Sequence, residues 1–261
     1  MSRIETKFKD LKKRNKKAFI AFISAGDPDL KTTADLVIAL EKAGVDIVEL
    51  GIPFSDPLAD GPTIQASFER ALKNGVTVEK ILQTVNQIRK FSQVPIALMT
   101  SYNPVFHYGE EKFVKDAKAA GVDGVIIPDL PPEEAKTLIA LSRKADFSTI
   151  FFLSPTTSSH RVARISNAST GFIYYVSLTG VTGARSTLPI DLIEKIKKAK
   201  RAVTKPVCVG FGISTVQQVK AISAVCDGVI VGSAIVKEIE KYRGQPDMVD
   251  RVAGFVKNLI G

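Results

Sequence analysis

Glu49 is the residue of this sequence best suited to do chemistry. It stands in the apolar run Ile47-Val48-Glu49-Leu50, which breaks at Gly51 and Pro53. Ionisable side chains are almost never fully buried unless paired, so a glutamate in such a run needs a reason. Two more acids, Asp56 and Asp60, follow in a loop punctuated by proline and glycine and closed by Gly61. Alternation along a strand puts Ile47 and Glu49 on one face, Val48 and Leu50 on the other. A carboxyl at the C-terminal end of a strand, with carboxylates in the next loop, is how parallel α/β enzymes place general acids and bases. The blander alternative puts Glu49 in a satisfied hydrogen-bond network and leaves the loop acids to cap the next helix.

A second constellation suits an anion. Gly210-Phe211-Gly212-Ile213-Ser214 follows one apolar run, and Gly232-Ser233-Ala234 follows the next. Glycine lets backbone N–H groups approach a phosphate closely, and a helix N-terminus adds favourable charge. Gly183, in an earlier glycine- and threonine-rich loop, could supply a third edge. Tight turns without a ligand are the simpler explanation of each glycine pair taken alone. The two histidines, His107 and His160, have no metal-ligand spacing, and no nucleophile–histidine–acid constellation or dinucleotide fingerprint is present. The expectation is therefore no metal.

The elements that must position these residues are legible as alternating short apolar runs and amphipathic helices. Strands are expected over 18–22, 47–50, 95–99, 124–127, 148–153, 172–176, 206–209 and 228–231. Helices are expected over 2–13, from Asp29 to 43, and over 63–73, 77–91, 109–121, 159–167, 190–202, 215–224 and 247–259. Another opens at Pro131, and Tyr102-Asn103-Pro104 reads as loop. Gly44, Gly75 and Gly121 stop helices. Eight such units, without a linker, predict one α/β domain over 1–261. That domain is a (β/α)8 TIM barrel with an extra N-terminal helix and a short extra helix after the eighth strand. An open doubly wound sheet is the rival architecture.

The totals fit. The chain has 261 residues, 45% of them hydrophobic and 24% charged, ordinary for a globular protein. No apolar run approaches the ~18 residues of a membrane span, and no secretory h-region follows the basic N-terminus. Cys208 and Cys226 lie in or beside apolar runs and read as buried thiols of a reducing, cytoplasmic compartment. The net charge of +9 is concentrated in 1–17 and 195–205. Ile4, Phe8 and Leu11 recur at helical spacing within the first stretch, so its charges are a solvated face. No motif accompanies them that would indicate nucleic-acid binding.

The run from Glu49 to Gly61 resembles the signature of the tryptophan synthase alpha chain family. Ser24-Ala25-Gly26-Asp27-Pro28, Pro128-Asp129-Leu130-Pro131, Gly180-Val181-Thr182-Gly183, Gly210-Phe211-Gly212-Ile213-Ser214 and Gly232-Ser233-Ala234-Ile235-Val236 match it too. The resemblance implies a lyase of tryptophan biosynthesis that cleaves indole-3-glycerol phosphate to indole and glyceraldehyde 3-phosphate. It implies Glu49 as general acid/base and Asp60 as second catalytic acid. Gly183, Gly212, Gly232 and Ser233 would bind phosphate, and Phe22 and Tyr174 would line an indole pocket. Loops carrying Asp56 and Thr182 would close over the substrate and contact a partner. That partner would be a pyridoxal-phosphate beta chain in an α2β2 heterotetramer, with no cofactor in this chain. Leu178 stands where many members have arginine, and no role is carried over to it.

The chemistry explains why two acids are needed. Ring carbon C3 must be protonated before the bond to the side chain can break, and the neighbouring hydroxyl must then lose its proton. One carboxyl with a pKa near working pH can do both, and an apolar barrel mouth raises the pKa of Glu49. An ionised Asp60 in a wetter loop would stabilise the positive charge that develops at the ring nitrogen. Another phosphate-binding barrel, an isomerase or synthase, is the rival within enzymes. A catalytically idle activator of a beta chain is the rival outside them.

Overall fold

The computed structural model describes residues 1–57, 60–176, 190–210 and 212–261. The expected contributions of Leu178, Thr182 and Gly183 lie outside the described residues. Among the described residues nine parallel strands form one sheet: β1 (Ala18–Ser24), β2 (Ile47–Gly51), β3 (Ile96–Met99), β4 (Gly124–Ile126), β5 (Ser148–Ile150), β6 (Phe152–Leu153), β7 (Ile173–Val176), β8 (Val207–Gly210) and β9 (Gly228–Val231). Their order is β5-β4-β3-β2-β1-β9-β8-β7-β6. The two ends of that order are consecutive in the chain, separated only by Phe151. β5 bonds to β4 and β6 bonds to β7. They act as two halves of one stave, and the ring closes as a TIM barrel. The expected fifth strand is thus broken at Phe151, yet its alternation persists: Ile150 and Phe152 face one core, Phe151 and Leu153 the other.

Twelve helices accompany the strands among the described residues. They are α1 (Arg3–Lys13), α2 (Leu30–Lys42), α3 (Pro62–Lys73), α4 (Val78–Ile88), α5 (Tyr102–Tyr108), α6 (Glu110–Ala120), α7 (Lys136–Lys144), α8 (Ser159–Ala168), α9 (Ile190–Arg201), α10 (Val216–Ser223), α11 (Ser233–Tyr242) and α12 (Met248–Ile260). Outward strand residues such as Val48, Leu50 and Val229 pack on buried helix residues such as Leu36, Ile81 and Val252. Inward residues, among them Ile20, Ile47, Ala97, Ile126 and Ile230, fill the barrel. Strands buried on both faces are what parallel barrels require, and β1 and β2 are buried at every position.

Helix α1 stoppers the N-terminal end of the barrel. Ile4, Phe8 and Leu11 join the interior cluster. Arg3 pairs with Asp123, just ahead of β4, and the N-terminal amine with Asp146, just ahead of β5. Ser2 caps the helix in a reciprocal box with Glu5, and its hydroxyl meets that of Ser148 at 2.8 Å. Replacing a capping serine by alanine costs about 1 kcal/mol. Ser2→Ala should therefore lower the urea midpoint of unfolding and leave turnover unchanged.

Two local expectations are corrected. Residues 102–104 are helical, not loop: Pro104 sits in the first turn of α5, where its missing N–H removes no helical hydrogen bond. No helix opens at Pro131. Pro132 disfavours a helical conformation at the residue before it, the amides of Glu134 and Ala135 both donate to the Pro131 carbonyl in a turn, and α7 begins at Lys136. Asp29 caps α2, accepting from the Thr32 amide at 2.7 Å.

Candidate active site at the barrel mouth

Glu49 is the third of the five residues of β2, two before its C-terminal end, in register with Phe22 of β1 and Ala97 of β3. It shares its strand face with Ile47, an interior residue. It is fully buried, and neither carboxyl oxygen has a hydrogen-bond partner among the described residues. Burial alone pushes its pKa from an ordinary 4.5 up to about 8. A buried acid without partners costs stability. A perturbed acid held in a cleft is a mark of a working site.

Tyr174, on β7, faces both acids. Its ring lies 4.8 Å from that of Phe152. Its phenol crosses Gly210 so closely that a Cβ there would displace the ring, so glycine at 210 keeps Tyr174 in place. Burial, then the charges of Glu49 and Asp60, hold the phenol pKa well above 10. It is a neutral hydrogen-bonding group.

Asp60 departs from the expected wet loop. It is half-buried, in a small recess lined by Phe68 of α3, Met99 at the end of β3, Thr100 and Ser101 after it, and Pro128 and Asp129 after β4. Burial first, and the Asp129 carboxylate second, raise its pKa from 3.8 to about 6. Asp129 itself accepts the Tyr102 amide N–H at 2.9 Å. Reading the sequence missed Asp129 and the recess residues. An acid just beyond the fourth strand, at the same end of the barrel as Glu49, was the available signal.

Phe22 is buried between the strand of Glu49 and the N-terminal parts of α3 and α11. A Cβ on Gly51 would come within 2.7 Å of its ring, and Gly232 lies against its Cβ. It packs with Ile64, Phe68 and Val236, and with Met99 at the edge. Asp56 is exposed, and its carboxylate accepts the Ser55 hydroxyl at 2.6 Å. The structure therefore brings Glu49, Asp60 and Tyr174 together, sets Phe22 beside them, and leaves Asp56 on the rim.

The glycine turns expected to hold an anion lie at the ends of β8 and β9, which are neighbours with Gly210 opposite Ile230. Gly212 is exposed, with φ +51 and open space where a Cβ would be. Gly232 is the N-cap of α11, which has no side-chain cap, and Ser233 is exposed in its first turn. Uncapped first-turn amides at a helix N-terminus bind anions. Among the described residues no group of three or more His, Cys, Asp or Glu could hold a metal ion, and no helix is long and apolar enough to cross a membrane. The assembled site offers a protonated acid, an ionised acid, a neutral phenol and a place for an anion around one mouth.

Comparison with known proteins agrees with this arrangement over nearly the whole chain. The family model for the tryptophan synthase alpha chain matches residues 8–260. The chain is 52% identical over 259 residues to the tryptophan synthase alpha chain of Geotalea uraniireducens, covering 99% of this chain and 97% of that one. It is 49% identical over 259 residues to that of Caldanaerobacter subterraneus, covering 99% and 98%. Among solved structures, the alpha chain of Legionella pneumophila superposes with a TM-score of 0.92 at 37% identity, covering 99% and 96%. A chain of the tryptophan synthase α2β2 complex of Pyrococcus furiosus gives 0.87 at 40% identity, covering 94% and 98%.

Proposed function

We propose, because this chain belongs to the tryptophan synthase alpha chain family, that it cleaves indole-3-glycerol phosphate to indole and glyceraldehyde 3-phosphate. Membership makes it a lyase; the retro-aldol reaction is what its residues are suited to perform. The observation that carries the reading is Glu49. It is fully buried toward the C-terminal side of β2, without a hydrogen-bond partner among the described residues, with its pKa pushed up to about 8, so near neutral pH it carries a proton to give.

Glu49 donates that proton to C3 of the indole ring. Positive charge then develops at the ring nitrogen, where ionised Asp60 stabilises it. Glu49, now a carboxylate, takes the proton of the side-chain hydroxyl beside C3. The carbon–carbon bond breaks, its electron pair restores the aromatic ring, and the aldehyde forms. Gly212, Gly232 and Ser233, with Gly183, hold the phosphate. Phe22 and Tyr174 flank the ring. Residues 1–261 act as one domain in the cytoplasm. As in the P. furiosus α2β2 complex, the partner is a beta chain, in which pyridoxal phosphate resides. The exposed Asp56 stands on the rim where such a partner would dock; Thr182 is assigned to the same contact by family resemblance alone.

The two shifted acids fix a pH dependence. Asp60 must be charged, so turnover falls as pH drops through about 6. Glu49 must be protonated, so turnover falls as pH rises through about 8. The expected profile of kcat/KM is a bell with its maximum between them, measured as indole release at low substrate in a pH series. The deciding experiment is indole release from indole-3-glycerol phosphate, with and without a beta chain. If no indole forms in either case, the reading fails.

A further inference from the structure

Arg70 joins the helix behind the acid loop to the helix behind the anion cradle. Helix α3 starts directly after Asp60, with Gly61 as its N-cap. Helix α11 starts directly after Gly232. Near their mouths the two are packed together through Ile64, Phe68 and Val236, over Phe22. Farther along, Arg70 reaches from α3 in two directions. Its Nε and Nη2 donate to the two oxygens of Asp27 at 2.9 and 2.8 Å, and its Nη1 donates to Glu240 of α11 at 3.0 Å. Asp27 is 1% exposed and the Arg70 side chain 15%, whereas Glu240 is 52% exposed. Asp27 lies in the turn after β1, which Asn74 at the C-cap of α3 also grips through the Gly26 and Pro28 carbonyls.

A planar guanidinium can hold one carboxylate bidentately and still offer an N–H to another; a lysine ammonium has no such fork. The bidentate pair with Asp27 fixes the direction of the guanidinium, which leaves Nη1 aimed at α11. We infer that Arg70 is a positioning residue that sets the anion cradle at the start of α11 against the Asp60 loop at the start of α3. Occupation of the cradle then favours the arrangement of α3 in which Asp60 meets the indole ring. The inference rests on the functional reading above, since it assigns the cradle to the substrate phosphate.

Two variants separate positioning from mere stability in the full-length chain assayed with its beta chain. Glu240→Gln cuts only the arm to α11, at an exposed position. Arg70→Lys keeps the charge beside Asp27 and loses the fork. Each should raise the KM for indole-3-glycerol phosphate and the inhibition constant of inorganic phosphate together by about three-fold, the size of typical long-range coupling. kcat should fall by a similar factor, because Asp60 acts on the ring during turnover. Because both cut one connection, the double variant should match the singles rather than multiply them. Unchanged KM and phosphate inhibition, with or without a lower Tm, would overturn the inference, as would independent, multiplying effects. If the unmodified chain releases no indole, the functional reading falls and the positioning role falls with it. Normal turnover with indifferent variants removes the positioning role alone.

Discussion

Glu49→Gln should reduce indole formation by about 10²–10⁴-fold, the usual contribution of a general acid/base, and should leave the fold intact. Glutamine fills the same space and keeps the hydrogen-bonding shape, but it cannot release or take a proton at C3. The substitution should also stabilise the protein in a defined pH window. In the unfolded chain Glu49 ionises from about 4.5, whereas in the folded barrel it does so only near 8. The native state therefore loses stability as pH rises from 4.5 to 8, because the unfolded state sheds the proton first. The variant escapes this loss. Each pKa unit corresponds to about 1.4 kcal/mol, so Glu49→Gln should be more stable by a few kcal/mol above pH 8 and no different below pH 4.5. Urea unfolding across pH measures it. Activity above a few per cent of the unmodified chain, or a stability difference flat with pH, would remove Glu49 from its role.

Asp60→Asn is the second large effect. The asparagine cannot supply the negative charge that stabilises the ring nitrogen as it becomes positive, and losses of about 10²–10³-fold in kcat accompany the removal of such a group. Phosphate recognition belongs to the other side of the mouth, so KM should move only modestly. The acidic limb of the pH profile, set by Asp60 near 6, should weaken or disappear while the basic limb near 8 stays. Should the variant lose affinity for indole-3-glycerol phosphate at normal kcat, Asp60 is a binding residue and the charge argument fails.

What could be read from the sequence follows a physical rule. Alternation is local, so the inward aim of Glu49 was readable from its neighbours Ile47, Val48 and Leu50 alone. The (β/α)8 order was readable because each strand and helix carries its own period, and Ile4, Phe8 and Leu11 announced the face that α1 buries. The surroundings of Asp60 were not readable. Its recess is assembled from α3, the end of β3 and the turn after β4, and the acid that shifts it, Asp129, is far away in the chain. The same holds for the grip of Arg70 on Glu240, which joins residues 170 positions apart. The helix at 102–108 was hidden for a different reason. An Asn-Pro pair signals a break except in the first turn of a helix, and nothing local marks which case applies.

The stopper at the foot of the barrel has a consequence for traffic. With Phe8 and Leu11 of α1 buried in the interior cluster and inward side chains packed above them, the foot of the barrel is closed. On the proposed reaction, indole carries no charge and would not be held once its bond to the sugar phosphate is cut. It would leave by the mouth, where the exposed Asp56 stands. Whatever protein is seated on that rim decides whether the product escapes to bulk water or is delivered onward.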